Sequence, residues 1–161
     1  LNAATYGIDA KRLGVFGGSA GGHLSLMLSL NGDDGDPAAE DPVLRGAARI
    51  KAVVAYYPPV DLRRMTGPNE RFPALDFPNE QAAGISPILF VDAKDPATLI
   101  VHGDADTLVP LSSGQAIHDS LKQAGVKTEM VIIAGGDHGF TEPAHRAQAG
   151  AAMAKWFREN L

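Results

Sequence analysis

Val15-Phe16-Gly17-Gly18-Ser19-Ala20-Gly21-Gly22-His23-Leu24-Ser25-Leu26-Met27-Leu28-Ser29-Leu30 is an apolar run that breaks on glycine around one serine and resumes with a helical apolar stripe. Arg12-Leu13-Gly14-Val15-Phe16 predicts a buried strand, and Leu24, Met27 and Leu28 recur at helical spacing. A serine lifted above a sheet on a tight strand-to-helix turn sits in a strained backbone conformation, so its neighbours two residues away must be small. Gly17 and Gly21 meet this requirement and define a nucleophile elbow around Ser19. A plainer reading makes Ser19 a helix cap. A cap needs no glycine on both flanks.

The strand ends outside this stretch explain where chemistry gathers. A second strand is expected over Ile50–Tyr57, stopped by Pro58-Pro59, a third over Thr98–Val101 and a fourth over Thr128–Ile133. Helices are expected over Ser112–Ala124 and Glu142–Asn160, and Leu1–Tyr6 reads as the last turns of a helix closed by Gly7. Residues 61–96 carry prolines and no clear periodicity, which predicts an irregular, lid-like or substrate-facing excursion. Strands alternating with helices imply α/β architecture: one domain over residues 1–161, with a parallel sheet of about four strands flanked by helices. In such sheets reactive groups collect at the carboxyl ends of the strands.

Ser19, Asp106 and His138 each follow a predicted strand, in the order serine, acid, histidine. A serine hydroxyl is a weak nucleophile at neutral pH, so an imidazole must take its proton and an acid must orient that imidazole. Of the five histidines, His118 and His145 fall in helices, His23 rides on the helix that carries Ser19, and His102 precedes the acid. His138, in a glycine-flanked turn, is the favoured base. Asp106 is the favoured acid, with Asp104 and Asp61 as alternatives; Asp137 is badly placed beside the histidine.

Composition narrows the partners. The 161 residues are 45% hydrophobic and 20% charged, enough for a substantial core, and no apolar run approaches the twenty residues of a membrane span. A net charge of −5 with scattered basic residues disfavours nucleic acid and anionic membrane surfaces. The absence of cysteine excludes disulfides and thiolate metal sites and leaves the compartment open.

Gly17–Leu24, Ser86-Pro87, the run Pro96–Pro110 and Asp137-His138-Gly139-Phe140 together resemble the α/β-hydrolase superfamily, in its carboxylesterase and lipase branch acting on small acyl, acetyl and feruloyl esters. The resemblance spans nearly the whole chain. It implies a serine hydrolase that cleaves carboxylic esters of small molecules through an acyl-enzyme, with Ser19 as nucleophile, Asp106 as acid and His138 as base. It implies the Ala20 N–H as one oxyanion donor and requires no metal or other cofactor. A serine peptidase of the prolyl-oligopeptidase type and a catalytically silent interaction module are the competing readings.

Family members place several strands and a glycine-rich loop ahead of the elbow, whereas here the chain opens at Leu1 shortly before it. The expectation is therefore the carboxy-terminal part of the fold, lacking an amino-terminal half and one oxyanion donor. Loss of such a donor costs about 10²- to 10³-fold in turnover. The first strand should also expose an apolar edge that either the missing half or self-association would cover.

Overall fold

The computed structural model describes residues 2–47, 49–70 and 72–161. Leu1 and Arg71, which fall within two of the expected segments, lie outside them. Four strands, β1 (Gly14–Gly18), β2 (Ala52–Tyr56), β3 (Ala97–Gly103) and β4 (Thr128–Ile133), form one parallel sheet in the order β1-β2-β3-β4. Three helices accompany it: α1 (Ala20–Leu30), α2 (Leu111–Gln123) and α3 (Pro143–Asn160). Among the described residues, the excursion between β2 and β3 holds only short 3-10 turns, at Pro73–Leu75, Asn79–Ile85 and Pro87–Leu89.

Alternation along the strands decides which helix covers which face. Val53, Ala55 and Ile100 point to one side and pack with Leu26 and Leu30 of α1 and Ile117 and Leu121 of α2. Ala52, Val54, Leu99 and Val101 point to the other and pack with Phe140 and with Ala149 and Trp156 of α3. The central strands β2 and β3 are therefore buried on both faces, as their continuous apolar runs require.

Several boundaries differ from the sequence expectation. The amino-terminal helix is only a 3-10 turn, Ala4–Tyr6, closed by Gly7 in the left-handed region at φ 64°. β1 continues through Gly17 and Gly18 because both pair with β2, opposite Ala55 and Tyr56, so the chain reverses at Ser19 alone. Helix α2 begins directly after Pro110, whose missing N–H suits a helix entry.

One side of the sheet is open. β1 pairs only with β2 among the described residues, and Phe16 on that strand and Leu24 and Leu28 on α1 are exposed.

The parallel register sets Gly18 beside Tyr56, Tyr56 beside Val101 and Gly103 beside Ile133. The four segments that leave these strands consequently emerge along one rim.

Candidate active site

Ser19 sits between β1 and α1 with φ 55° and ψ −120°, a strained conformation for a residue with a side chain. Its N–H donates to the Tyr56 carbonyl at 2.9 Å and its carbonyl accepts from His23 N–H at 3.0 Å, so backbone bonds on both sides hold the strain. The Ser19 side chain makes no capping bond to the helix. The hydroxyl is turned away from the cap position that the plainer reading would give it.

The glycines around the serine divide the work differently from the expectation. A Cβ on Gly17 would lie 2.3 Å from the Gly21 carbonyl carbon, so this position admits only glycine. A Cβ on Gly21 would meet nothing within 4 Å. The close approach is made by the Gly21 backbone, while the space in which its own side chain would stand is open. On the helix side of Ser19 it is Gly22, not Gly21, that is tight: a Cβ there would lie 2.9 Å from the Tyr56 carbonyl oxygen.

Asp106 stands in the turn between β3 and α2. Its Oδ1 accepts from the N–H groups of Leu108 and Val109, both at 2.9 Å, which fixes the carboxylate and leaves Oδ2 facing across the rim. His138 comes from the loop between β4 and α3. Its Nδ1 is 2.8 Å from Asp106 Oδ2 and its Nε2 is 2.9 Å from Ser19 Oγ. A carboxylate only accepts, so Nδ1 carries the proton and Nε2 is left to accept from the serine hydroxyl. Three side chains from separate loops thus form one hydrogen-bonded line.

Ala20 opens α1, and its N–H is among the first four of a helix that lack an intrahelical acceptor. It lies directly after Ser19, at the mouth of a cavity.

The alternative acids are engaged elsewhere. Asp104 accepts from Gly135 N–H at 2.6 Å and ties the β3 loop to the β4 loop, a tie across loops and not within its own turn. A Cβ on Gly103 would stand 2.0 Å from the Gly136 carbonyl oxygen, so the same two loops are pressed together there. Asp61 pairs with Arg63, which holds its carboxyl below the ordinary carboxylate value. Asp137 accepts from Thr141 N–H and Oγ1–H, which lowers it likewise.

The other histidines are also accounted for. His118 is half-buried with Nδ1 3.2 Å from Thr128 Oγ1, because α2 packs along β4. His145 is half-buried in the first turns of α3. His23 is buried, and its Nδ1–H donates to the Pro59 carbonyl at 3.2 Å; burial lowers its pKa and that bond raises it in part.

Two neighbours were not legible in the sequence. His102, at the end of β3, has no exposed side-chain surface, donates through Nε2 to the Val109 carbonyl at 2.9 Å, and lies 3.5 Å from Asp106 Oδ2. Burial lowers its pKa and leaves it neutral beside the carboxylate, although Val109 and Asp106 pull the other way. Tyr57, at φ 36°, sets its ring 4.6 Å from that of His138 and 5.0 Å, edge to face, from that of Phe140. Burial, then the charges of Asp106 and Asp137, push its phenol up, so it stands by the imidazole as a neutral wall. The one sequence signal was Gly18, where a Cβ would come within 2.7 Å of the Tyr57 hydroxyl.

Among the described residues no group of three or more His, Cys, Asp or Glu side chains is arranged to hold a metal ion, and no helix is long and apolar enough to cross a membrane.

A parallel sheet with a serine on a strained strand-to-helix turn, and an acid and a histidine delivered to the same rim, defines an α/β-hydrolase domain. More narrowly, the chain belongs to the BD-FAE family of α/β-hydrolase-type esterase domains, whose model matches residues 1–121. Esterase LipQ of Mycobacterium tuberculosis is 30% identical over 138 residues, which cover 79% of this chain and 32% of that protein. A truncated form of a carbohydrate esterase from gut microbiota superposes with a TM-score of 0.81 at 30% identity, over 98% of this chain and 62% of that one. The apo form of Thermogutta terrifontis esterase 2 gives 0.78 at 26% identity, over 98% and 59%. The chain thus spans about a third of the curated relative's length and about three fifths of these solved structures.

Proposed function

We propose that this chain carries the catalytic serine of a carboxylester hydrolase acting on small-molecule esters through an acyl-enzyme. His138 Nε2 takes the proton of Ser19 Oγ as the oxygen attacks the ester carbonyl carbon. The carbonyl oxygen gathers negative charge in the tetrahedral intermediate and is met by the Ala20 N–H. Collapse breaks the bond to the alcohol oxygen, which takes the proton from the imidazolium and leaves. Water then repeats the sequence on the acyl-serine, with His138 again as base, and releases the acid. Asp106 holds the imidazole in the required tautomer and offsets its transient charge.

The observation that carries this reading is the unbroken line from Ser19 Oγ to His138 Nε2 at 2.9 Å and from His138 Nδ1 to Asp106 Oδ2 at 2.8 Å. The esterase names among the relatives support the same chemistry. Residues 61–96 belong to the same domain and face the substrate.

The test is labelling by a fluorophosphonate, which reacts only with an activated serine. Labelling of the wild type and none of Ser19→Ala is expected. No labelling of the full chain would leave a silent interaction module, and turnover of aminoacyl-anilides without p-nitrophenyl esters would make it a peptidase.

A further inference from the structure

His102 is a fully buried imidazole that touches the hydrogen-bonded line of Ser19, His138 and Asp106 without belonging to it. Its Nε2–H donates to the Val109 carbonyl at 2.9 Å, and the same nitrogen lies 3.5 Å from Asp106 Oδ2. We propose that His102 is a positioning residue, whose Nε2–H keeps Asp106 Oδ2 aimed at His138 and limits how strongly that carboxylate holds a proton on the His138 ring. The role rests on the hydrolase reading above.

The needs of the carboxylate point to it. A buried carboxylate has about four acceptor directions and is stable only when donors meet its charge. Oδ1 receives the Leu108 and Val109 N–H groups, and Oδ2 receives His138 Nδ1–H. The fourth N–H beside the carboxylate is that of His102 Nε2. At 3.5 Å it is too long for a full hydrogen bond, yet its positive end acts on the charge across a dry interior.

The ring is built to stay neutral. Its Nδ1 is buried with no hydrogen-bond partner among the described residues, and a Cβ on Gly114 of α2 would lie 2.6 Å from it. A second proton there would have no acceptor. Burial lowers the pKa of the ring, although the Val109 carbonyl and Asp106 pull it up. His102 is therefore a fixed neutral donor and not a second base. Leucine in its place would remove the unpartnered nitrogen; what the imidazole supplies instead is an N–H between Val109 and Asp106.

Loss of that N–H has a definite sign. The carboxylate becomes more basic and stabilises the His138 imidazolium more, so His138 gives up its proton at higher pH. The other groups around this loop are engaged elsewhere. Ser19 Oγ meets His138 Nε2, and Tyr57 lies against the ring as a neutral phenol. Asp104 binds Gly135, Asp137 binds Thr141 and feels His145 of α3, and His23 of α1 binds Pro59. None of these bonds involves His102.

The experiment follows the His138 ring of the full chain by heteronuclear NMR across its titration. Fluorophosphonate labelling of Ser19 against pH, and kcat and KM on p-nitrophenyl butyrate, are measured beside it. In His102→Leu, of similar volume and without an N–H, the His138 pKa and the acid limb of labelling should rise together by about half to one unit. The kcat should fall about tenfold at unchanged KM, as the acid loses its alignment. His102→Gln, whose amide offers a donor in the same direction, should return the pKa to the wild-type value and kcat to within about threefold. Should His102→Leu not fold, His102→Met, a flexible apolar side chain, is measured in its place. A His138 pKa that stays or falls in the apolar variant, or that moves equally in His102→Gln, overturns the role, while labelling of the wild type keeps the hydrolase reading. A wild type neither labelled nor active on any ester overturns both.

Discussion

His102 and Asp106, one helical turn apart in number, face each other inside the protein with Nε2 3.5 Å from Oδ2 and neither side chain exposed. The Asp106 carboxylate thus lies between two imidazoles, His102 and His138, only one of which reaches the serine. The Val109 carbonyl resolves the competition. It takes the His102 Nε2–H at 2.9 Å while Val109 N–H binds Asp106 Oδ1, so one residue anchors both partners.

His102→Leu should therefore leave the buried Val109 carbonyl without its donor and cost about 1–3 kcal/mol of stability. Urea unfolding of the variant measures this. An unchanged midpoint would mean that His102 is no anchor.

Asp106→Asn should preserve the fold and reduce ester turnover about 10⁴-fold, because the amide can present an N–H to His138 Nδ1 and favour the wrong tautomer. Steady-state kinetics with p-nitrophenyl butyrate, beside a matching circular dichroism spectrum, would show it. A loss of less than tenfold would assign the acid elsewhere.

The glycines of the turn should separate cleanly. Gly17→Ala forces a Cβ against the Gly21 backbone at 2.3 Å and should cost about 3 kcal/mol or fail to fold. Gly21→Ala enters open space in a helix, where alanine is favoured by about 0.5–1 kcal/mol, and should be at least as stable as the wild type. Equal melting shifts in the two variants would contradict this asymmetry.

Acid should weaken the fold through its buried imidazoles. Burial holds both His23 and His102 below their ordinary value, so in the folded state they stay neutral after the unfolded chain begins to protonate near pH 6.5. The unfolded state then binds more protons, and stability is lost as pH falls from about 6.5 toward the folded values, by at most about 1.4 kcal/mol per pH unit for each group. Asp95 opposes this, since burial pushes its carboxyl up to about 6. Urea midpoints at pH 7.5 and 5.5 should fall, less in His102→Gln and more in Asp95→Asn. Midpoints independent of pH in all three would refute the linkage.

The outer edge of β1, with Phe16, Leu24 and Leu28 exposed beside it, predicts that the 161-residue chain expressed by itself self-associates. Analytical ultracentrifugation should show species heavier than 16.8 kDa that grow with concentration. A monodisperse monomer at every concentration would mean that this edge does not pair.

The amino-acid sequence by itself determined what short-range physics controls. Apolar runs bounded by glycine and proline placed all four strands, with β4 matching at both ends, and the turn at Ser19 followed from glycines that leave room for a strained backbone. The order of Ser19, Asp106 and His138 was legible because each lies in the segment that leaves a strand, and parallel strands deliver such segments to one rim. Only the tertiary structure decided the rest. Gly22 and not Gly21 is the tight position on the helix side of Ser19, because the obstacle is the Tyr56 carbonyl on another strand. Tyr57 against His138, His102 against Asp106 and the apolar wall beside Ser19 join residues that are distant in sequence or differ only in facing direction. Strand register and the path of the excursion fix those contacts, and neither leaves a repeating pattern in the chain.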